Sequence, residues 1–455
     1  MTRSLTSIYY IEDIDSLRFA LSLHEYDVLN LQPHFPGYPL FCFIAKLFYL
    51  IIGNKGLTFS VIGGISVFFC MYYCLKISSI SPKSKVGFFV ILIILLNPLF
   101  WLMSNRYMPD LLGLAVALGA LYYLVARKRL SLGFFIFGLL PGIRLSFLPL
   151  LFAPIFSNLL KNKNKLLLVT FSLLGISVWL VPFIYLTGFE NLWSIGLKHT
   201  YGHFNDYGGT IYTETNWGSR FTHLFKSVWA DGLSGYWSGR SMVTIITSAY
   251  LLYFFSLSLK SFQKIWKDKS FRIILFSMII YILWIIFFQN IIHKSRHVLP
   301  IIFFLILFIS LGQKFNQNRE FNPYLSASFF PFLLFITCTL VIQHKKPSAV
   351  SQMKDYLLKQ EKPIKVVTIP LINYYLNANR VETEFYNAEN QEDIFQLNNS
   401  KNLSNYYVIG NFRNLFNNGI ELIYDRSFYH NPYVNRMWSR LDIYSMNSVE
   451  LYNEQ

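Results

Sequence analysis

The sequence predicts an α-helical polytopic membrane protein of about ten spans, with interfacial helices in the first outer loop and a small extracytoplasmic α/β domain at the C-terminus. Three observations predict it. Of 455 residues, 53% are hydrophobic and 18% aromatic, with a mean hydropathy of +0.38, a composition of chains that live in lipid rather than water. Apolar runs of about 20 residues, long enough to cross a bilayer, recur up to residue 343. The short loops between them alternate between rich and poor in Lys/Arg, as the positive-inside rule requires.

Taken in order, the spans are expected at 57–77, 86–104, 110–126, 131–142, 145–157, 165–186, 241–259, 271–289, 298–312 and 324–343. The stretch 131–157 is too long for one helix and is interrupted by Pro141-Gly142-Ile143-Arg144, so it is read as two short spans. The loops at 76–85, 127–129, 161–165, 260–272 and 314–319 fall on one side and hold 16 basic residues, including Arg127, Lys128 and Arg129. The opposite short loops hold only Arg106, Arg144, Lys294 and Arg296. The first set is therefore cytoplasmic. The assignment requires that 38–53 does not cross, since counting it would flip every loop up to the 131–157 break. Its 16 residues with an internal Lys46 suit a helix lying in the interface or re-entering from outside. Segment 1–56 is then a first outer loop, 57–343 a transmembrane bundle that includes a long outer loop at 187–240, and 344–455 an extracytoplasmic α/β domain. A chain that begins outside without a preceding span is expected to lack its first transmembrane helix.

The formal charge of +16 does not point to nucleic acid. Residues 344–455 are balanced, with 12 basic and 12 acidic side chains, and the excess lies in the loops that set the topology. Cys42, Cys70, Cys74 and Cys338 sit in apolar runs without metal spacing. In the tail, strand-like runs at 366–370, 406–409, 421–424 and 441–444 alternate with helical or loop stretches. The aromatics between Phe428 and Trp438 suit either core packing or a sugar site.

On the outer face the polar loops gather the chemically useful side chains. The first loop holds Glu12-Asp13-Ile14-Asp15, Arg18-Phe19-Ala20 and Pro33-His34-Phe35-Pro36-Gly37-Tyr38-Pro39. Others hold Arg106 with Asp110, Arg144, His199 with His203 and Asp206, and Lys294-Ser295-Arg296-His297. An acid in the first outer loop followed by P-H-x-P-G-Y-P resembles the polyprenyl-phosphate-sugar-dependent glycosyltransferases of the GT-C superfamily, which include the protein O-mannosyltransferases and the lipid A aminoarabinose transferases. Arg106–Asp110, Gly142–Ser146 and the R-H-x-L-P run from Arg296 to Pro300 also look like motifs of bacterial members. The resemblance covers roughly residues 10–310 and rests on the order of the motifs.

It implies a membrane glycosyltransferase that moves a sugar, with inversion, from a polyprenyl-phosphate donor to an acceptor hydroxyl on a lipid, glycan or protein outside a bacterial inner membrane. Such a reaction needs a base for the acceptor proton and cations for the charge that grows on the departing phosphate. By this resemblance Asp15 is the expected base and Asp13 its alternative. Arg296, His297, Lys294, Arg144, Arg106, Asp110, His34 and His203 are the expected donor-binding residues. Each has a plainer reading: Arg296 and Lys294 as headgroup anchors, Arg106 and Asp110 as a structural pair, and His34 as a turn residue. Arg144 interrupts an apolar stretch and so calls for a partner, either phosphate or Asp110. The His199/His203 spacing is compatible with a metal, but Gly202 and Gly208-Gly209 argue against a regular helix there. A divalent ion is possible for the superfamily, and the sequence shows no site for one. A lipid-linked glycan flippase or transporter, or an O-antigen-ligase-like enzyme, is the competing reading.

Overall fold

The computed structural model describes residues 2–206, 209–316, 322–361, 364–389, 393, 406–410 and 420–448; Tyr207, Gly208 and Arg319 lie outside them. The chain divides into two compact units. One comprises Met1–Tyr9 and Arg18–Lys345, the other Tyr10–Leu17 and Lys346–Gln455.

The first unit is all helix. A 3-10 turn, Ser4–Thr6, and the part of α1 (Ile14–Ser22) from Arg18 onward precede α2 (Pro39–Ile52), α3 (Lys55–Ser78), α4 (Lys85–Leu95), α5 (Pro98–Asn105) and α6 (Asp110–Ala126). There follow α7 (Leu130–Leu139), α8 (Pro141–Arg144), α9 (Phe152–Lys161), α10 (Lys165–Thr187), α11 (Phe189–Asn205) and α12 (Trp217–Lys226). The unit closes with α13 (Val243–Lys260), α14 (Phe262–Lys267), α15 (Lys269–Phe288), α16 (Leu299–Asn316) and α17 (Pro323–His344). Among the described residues seven helical segments are long and apolar enough to span a membrane, or eight if the pair α4 and α5 is one bent span. The sequence predicts this pair as a single span over 86–104. It bends by 50° because Asn97 caps a new helix, accepting from Phe100 N at 3.1 Å, and Pro98 occupies its first turn. The expected non-crossing stretch is α2, too short to span at 14 residues.

The run Leu130–Lys161 folds back on itself. Near its start, Gly133 packs against Leu124; near its end, Asn158 Nδ2 donates to Leu124 O at 2.9 Å. Both ends therefore meet the C-terminal end of α6, while Arg144, in the middle, meets Asp110 at the opposite end. Arg144 itself is extended (φ −154°, ψ 90°) and marks the turn. The basic loops cluster likewise: Lys314 Nζ donates to Ser78 O at 2.8 Å, and Asn316 Nδ2 to Leu257 O at 2.9 Å. The bundle thus has a lysine-rich end and an end where Asp110 sits.

The long loop 187–240 is more ordered than its sequence suggested. In the sequence Gly202 and Gly208-Gly209 argue against a regular helix around His199 and His203. The correction is that α11 runs unbroken from Phe189 to Asn205 and contains Gly202. One interior glycine costs only about 1 kcal/mol against alanine, and the helix stops before Gly208-Gly209. Downstream, Arg220 is fully buried and donates to the carbonyls of Gly209 (2.7 Å), Gln289 (3.3 Å) and Ile286, closing the C-terminal end of α15.

The second unit carries α18 (Ala349–Leu357), α19 (Pro370–Ala378) and strands β1 (Lys365–Thr368), β2 (Glu384–Asn387), β3 (Tyr406–Ile409), β4 (Ile420–Tyr429) and β5 (Arg440–Ser448). They form one mixed sheet in the order β2-β1-β3-β5-β4. β1 lies parallel to β2 and β3, and β5 antiparallel to β3 and β4. Val367, Val408 and Met446 build its core. The first strand stops two residues before the expected Pro370, because that proline opens α19 instead. The strand β2, unanticipated, is an edge strand without a strongly apolar pattern.

Candidate active site

In the membrane unit a buried ionic cluster sits at the N-terminal end of α6. Asp110, wholly buried, has Oδ1 2.8 Å from Arg144 Nη2 and 3.7 Å from Arg296 Nε. Both arginines are themselves buried. The sequence permits this locally in two ways. Gly113, one turn along α6, leaves room for Arg144: a Cβ there would lie 2.4 Å from Arg144 Cβ. Asp110 is the first residue of α6, where the partial positive charge of the helix end favours a carboxylate. Arg144 Nη1 also donates to Tyr38 Oη at 3.2 Å.

Tyr38 owes its position to the P-G-Y-P turn. Gly37 (φ 79°) and Tyr38 (φ 46°) are successive left-handed residues, and Pro39 then starts α2. A Cβ on Gly37 would strike the Phe183 ring at 2.5 Å, so only glycine fits. The Tyr38 hydroxyl lies 3.4 Å from His34 Nε2. A column of imidazoles continues from there: His34 stacks on His199 (ring centroids 6.2 Å) and His199 on His203 (6.4 Å). His203 Nε2 lies 2.7 Å from Phe288 O, which can only accept, so this nitrogen carries the proton. His199 is pushed down to about 4 by burial first, then by His203, Arg18 and Lys294. Although α11 sets His199 and His203 one turn apart, no group of three His, Cys, Asp or Glu among the described residues could hold a metal.

The remaining expected residues are placed as follows. Arg296 and His297 are buried in the 3-10 turn Ser295–Val298, with Lys294 half-buried just before it. Tyr281, fully buried in α15, fixes that turn by donating to His297 O at 2.8 Å. Arg106 is buried after the end of α5, and Asp110 pairs with Arg144 and Arg296. Sequence reasoning missed three contributors here. Tyr38 was inside a quoted motif and was passed over for its charged neighbours, whereas Tyr281 and Arg220 carry no local signal.

The acids of the first loop belong to the second unit. Glu12, Asp13 and Asp15 are all buried. Asp13 caps α1: its Oδ1 accepts from Ser16 N at 2.8 Å. Its Oδ2 accepts from Asn435 Nδ2 at 3.0 Å, and Tyr375 holds the same strand of chain by donating to Ile11 O at 2.7 Å. Asp15 lies in the first turn of α1.

No protein-family model and no curated protein sequence matches the chain. The chain does resemble solved structures in fold, as a polytopic helical bundle with a small C-terminal sheet. The solved structures it resembles are of ArnT from Cupriavidus metallidurans. The structure bound to undecaprenyl phosphate aligns over 97% of this chain and 96% of that one, with a TM-score of 0.53 and 11% sequence identity. The apo structure aligns over 97% and 95%, with a TM-score of 0.51, again at 11% identity.

Proposed function

We propose that this protein is a membrane glycosyltransferase that takes a sugar from a polyprenyl-phosphate donor and transfers it, with inversion, to the hydroxyl of a lipid, glycan or protein acceptor. The observation that carries this reading is the convergence of Arg144 and Arg296 on Asp110 at the end of the bundle opposite the lysine-rich loops, within a fold shared with a protein crystallised with undecaprenyl phosphate. Two guanidiniums against one carboxylate suit an anion better than a neutral ligand. In a low-dielectric setting they stabilise the charge that develops on a leaving phosphate. Asp110 orients both arginines before donor arrives.

In the proposed reaction Arg296, with Lys294 and His297 on the same turn, grips the donor phosphate, and Arg144 is held ready by Asp110 and Tyr38. The acceptor hydroxyl attacks the anomeric carbon and the sugar–phosphate bond breaks. The proton goes to Asp15, the base that the first-loop resemblance implies, with Asp13 as its alternative. His34 and His203 belong to the imidazole column beside Tyr38 and shape the donor side of the site; Arg106 contributes positive charge. The positive-inside rule puts this end of the bundle on the extracytoplasmic face of a bacterial inner membrane.

The test is mass spectrometry of envelope glycans and glycolipids from a strain lacking the protein, complemented with wild type or with Asp15→Asn. A sugar modification that disappears, returns with wild type and stays absent with the variant supports the proposal. An unchanged glycan profile overturns it.

A further inference from the structure

Away from the ionic cluster, a second cationic side chain faces a cavity. Arg3 is 3% exposed. The turn that carries it is pinned to α5, since Thr6 Oγ1 accepts from Trp101 Nε1 at 3.0 Å and Asn105 Nδ2 at 2.9 Å. The guanidinium lies 3.6 Å from the Trp101 ring centroid, and Nη2 donates to Leu95 O, at the end of α4, at 2.6 Å. Among the described residues its Nε and Nη1 have no hydrogen-bond acceptor and no carboxylate pairs with it. Its guanidinium stays charged at neutral pH.

Beside it opens a cavity of about 280 Å3 lined by Arg3, Ser4, Ser60, Gly64, Ile65 and Phe68. Ser60 Oγ, fully buried, also has no hydrogen-bond partner among the described residues. The rim is apolar and outward-facing: Ile65 is 39% and Phe68 57% exposed on the spanning helix α3. Gly64 lies nine residues into α3 from Lys55, or about 13 Å along its axis, so the cavity opens on the lipid-facing surface. By volume it holds about nine waters at ~30 Å3 each, enough for a headgroup and not for a whole lipid.

We infer that this cavity is a binding site for the phosphate headgroup of an anionic membrane lipid, separate from the Asp110 cluster. A charged arginine within an apolar surface is costly without an anionic partner, and its fork of N–H donors matches phosphate oxygens. The Ser60 hydroxyl supplies one more donor, and the acyl chains run along Ile65 and Phe68.

The test is native mass spectrometry of the full chain in mild detergent, titrated with phosphatidylglycerol or phosphatidylcholine. Wild type is expected to retain one phosphatidylglycerol with at least tenfold preference over phosphatidylcholine, and Arg3→Leu to lose that preference. Gly64→Leu keeps Arg3 and its contacts, since a Cβ there meets Arg3 Cγ only at 3.6 Å, yet fills the cavity; it should lose the bound lipid while remaining folded. Equal retention of the two lipids by wild type, or undiminished phosphatidylglycerol in a folded Gly64→Leu protein, overturns the inference. Displacement of the lipid by millimolar inorganic phosphate would overturn it as well, reassigning the cavity to a soluble anion.

Discussion

Arg144 Nη2 meets Asp110 Oδ1 at 2.8 Å, at the tip of a hairpin whose two legs both return to Leu124. The pair therefore closes one end of the α6–hairpin assembly. Removing one member of a buried ion pair leaves the other charged and uncompensated, which costs about 3–5 kcal/mol. Asp110→Ala should accordingly lower the thermal midpoint of the purified protein sharply. Asp110→Ala combined with Arg144→Leu should recover much of the loss, because no orphaned guanidinium remains beside Gly113. Equal destabilisation in the single and double variants would mean that the pair does not carry the local stability.

Arg296 sits farther from Asp110 than Arg144 does, at 3.7 Å, and is the better placed of the two to exchange that contact for a phosphate. Arg296→Ala should raise the donor concentration for half-maximal transfer about tenfold or more, the range expected for losing a hydrogen bond to a charged group. Arg296→Lys should recover only part, since a point charge replaces the planar fork. Donor titrations with each variant check this. Unchanged kinetics would leave Arg296 as a structural counter-ion of Asp110.

The two first-loop aspartates should separate cleanly. Asp15→Asn removes a base without changing size and should cut transfer by about 10²–10⁴-fold while the protein unfolds at its usual temperature. Asp13→Ala should instead cost about 1 kcal/mol or more through the lost cap of α1 and the released Asn435, with activity declining only as folded protein is lost. If Asp13→Ala abolishes transfer at full stability and Asp15→Asn does not, their roles are reversed.

The helical class of this fold was legible because lipid imposes a length and loops impose a charge bias, and both are written locally. The fold-back at Arg144 was legible for the same reason: proline, glycine and arginine interrupt an apolar run. What escaped the sequence depends on contacts between distant residues. The bend between α4 and α5 needed Asn97 as a cap within an otherwise apolar run. The ordering of α11 around His199 came from packing against Phe35 and the neighbouring imidazoles, which outweighs one interior glycine. At the site, the charged residues announced themselves, whereas Tyr38 and Tyr281 became visible only once Arg144 and His297 had partners at 3.2 and 2.8 Å.

The imidazole column makes the stability of the α11 region sensitive to acid. His199 titrates near 4 in the folded protein, depressed from 6.5 by burial, by His203 and by the positive charges of Arg18 and Lys294, and it stacks on His34 and Phe35. An unfolded chain takes up the proton first, near 6.5, so the unfolded state binds more protons between these values. Stability is therefore intact above about 6.5 and falls as pH drops toward 4. His199→Phe keeps an aromatic ring on Phe35 and His34 but cannot be protonated. Thermal midpoints of wild type measured from pH 7 to 4 should fall more steeply than those of the variant. Parallel curves would show that the acid sensitivity arises elsewhere.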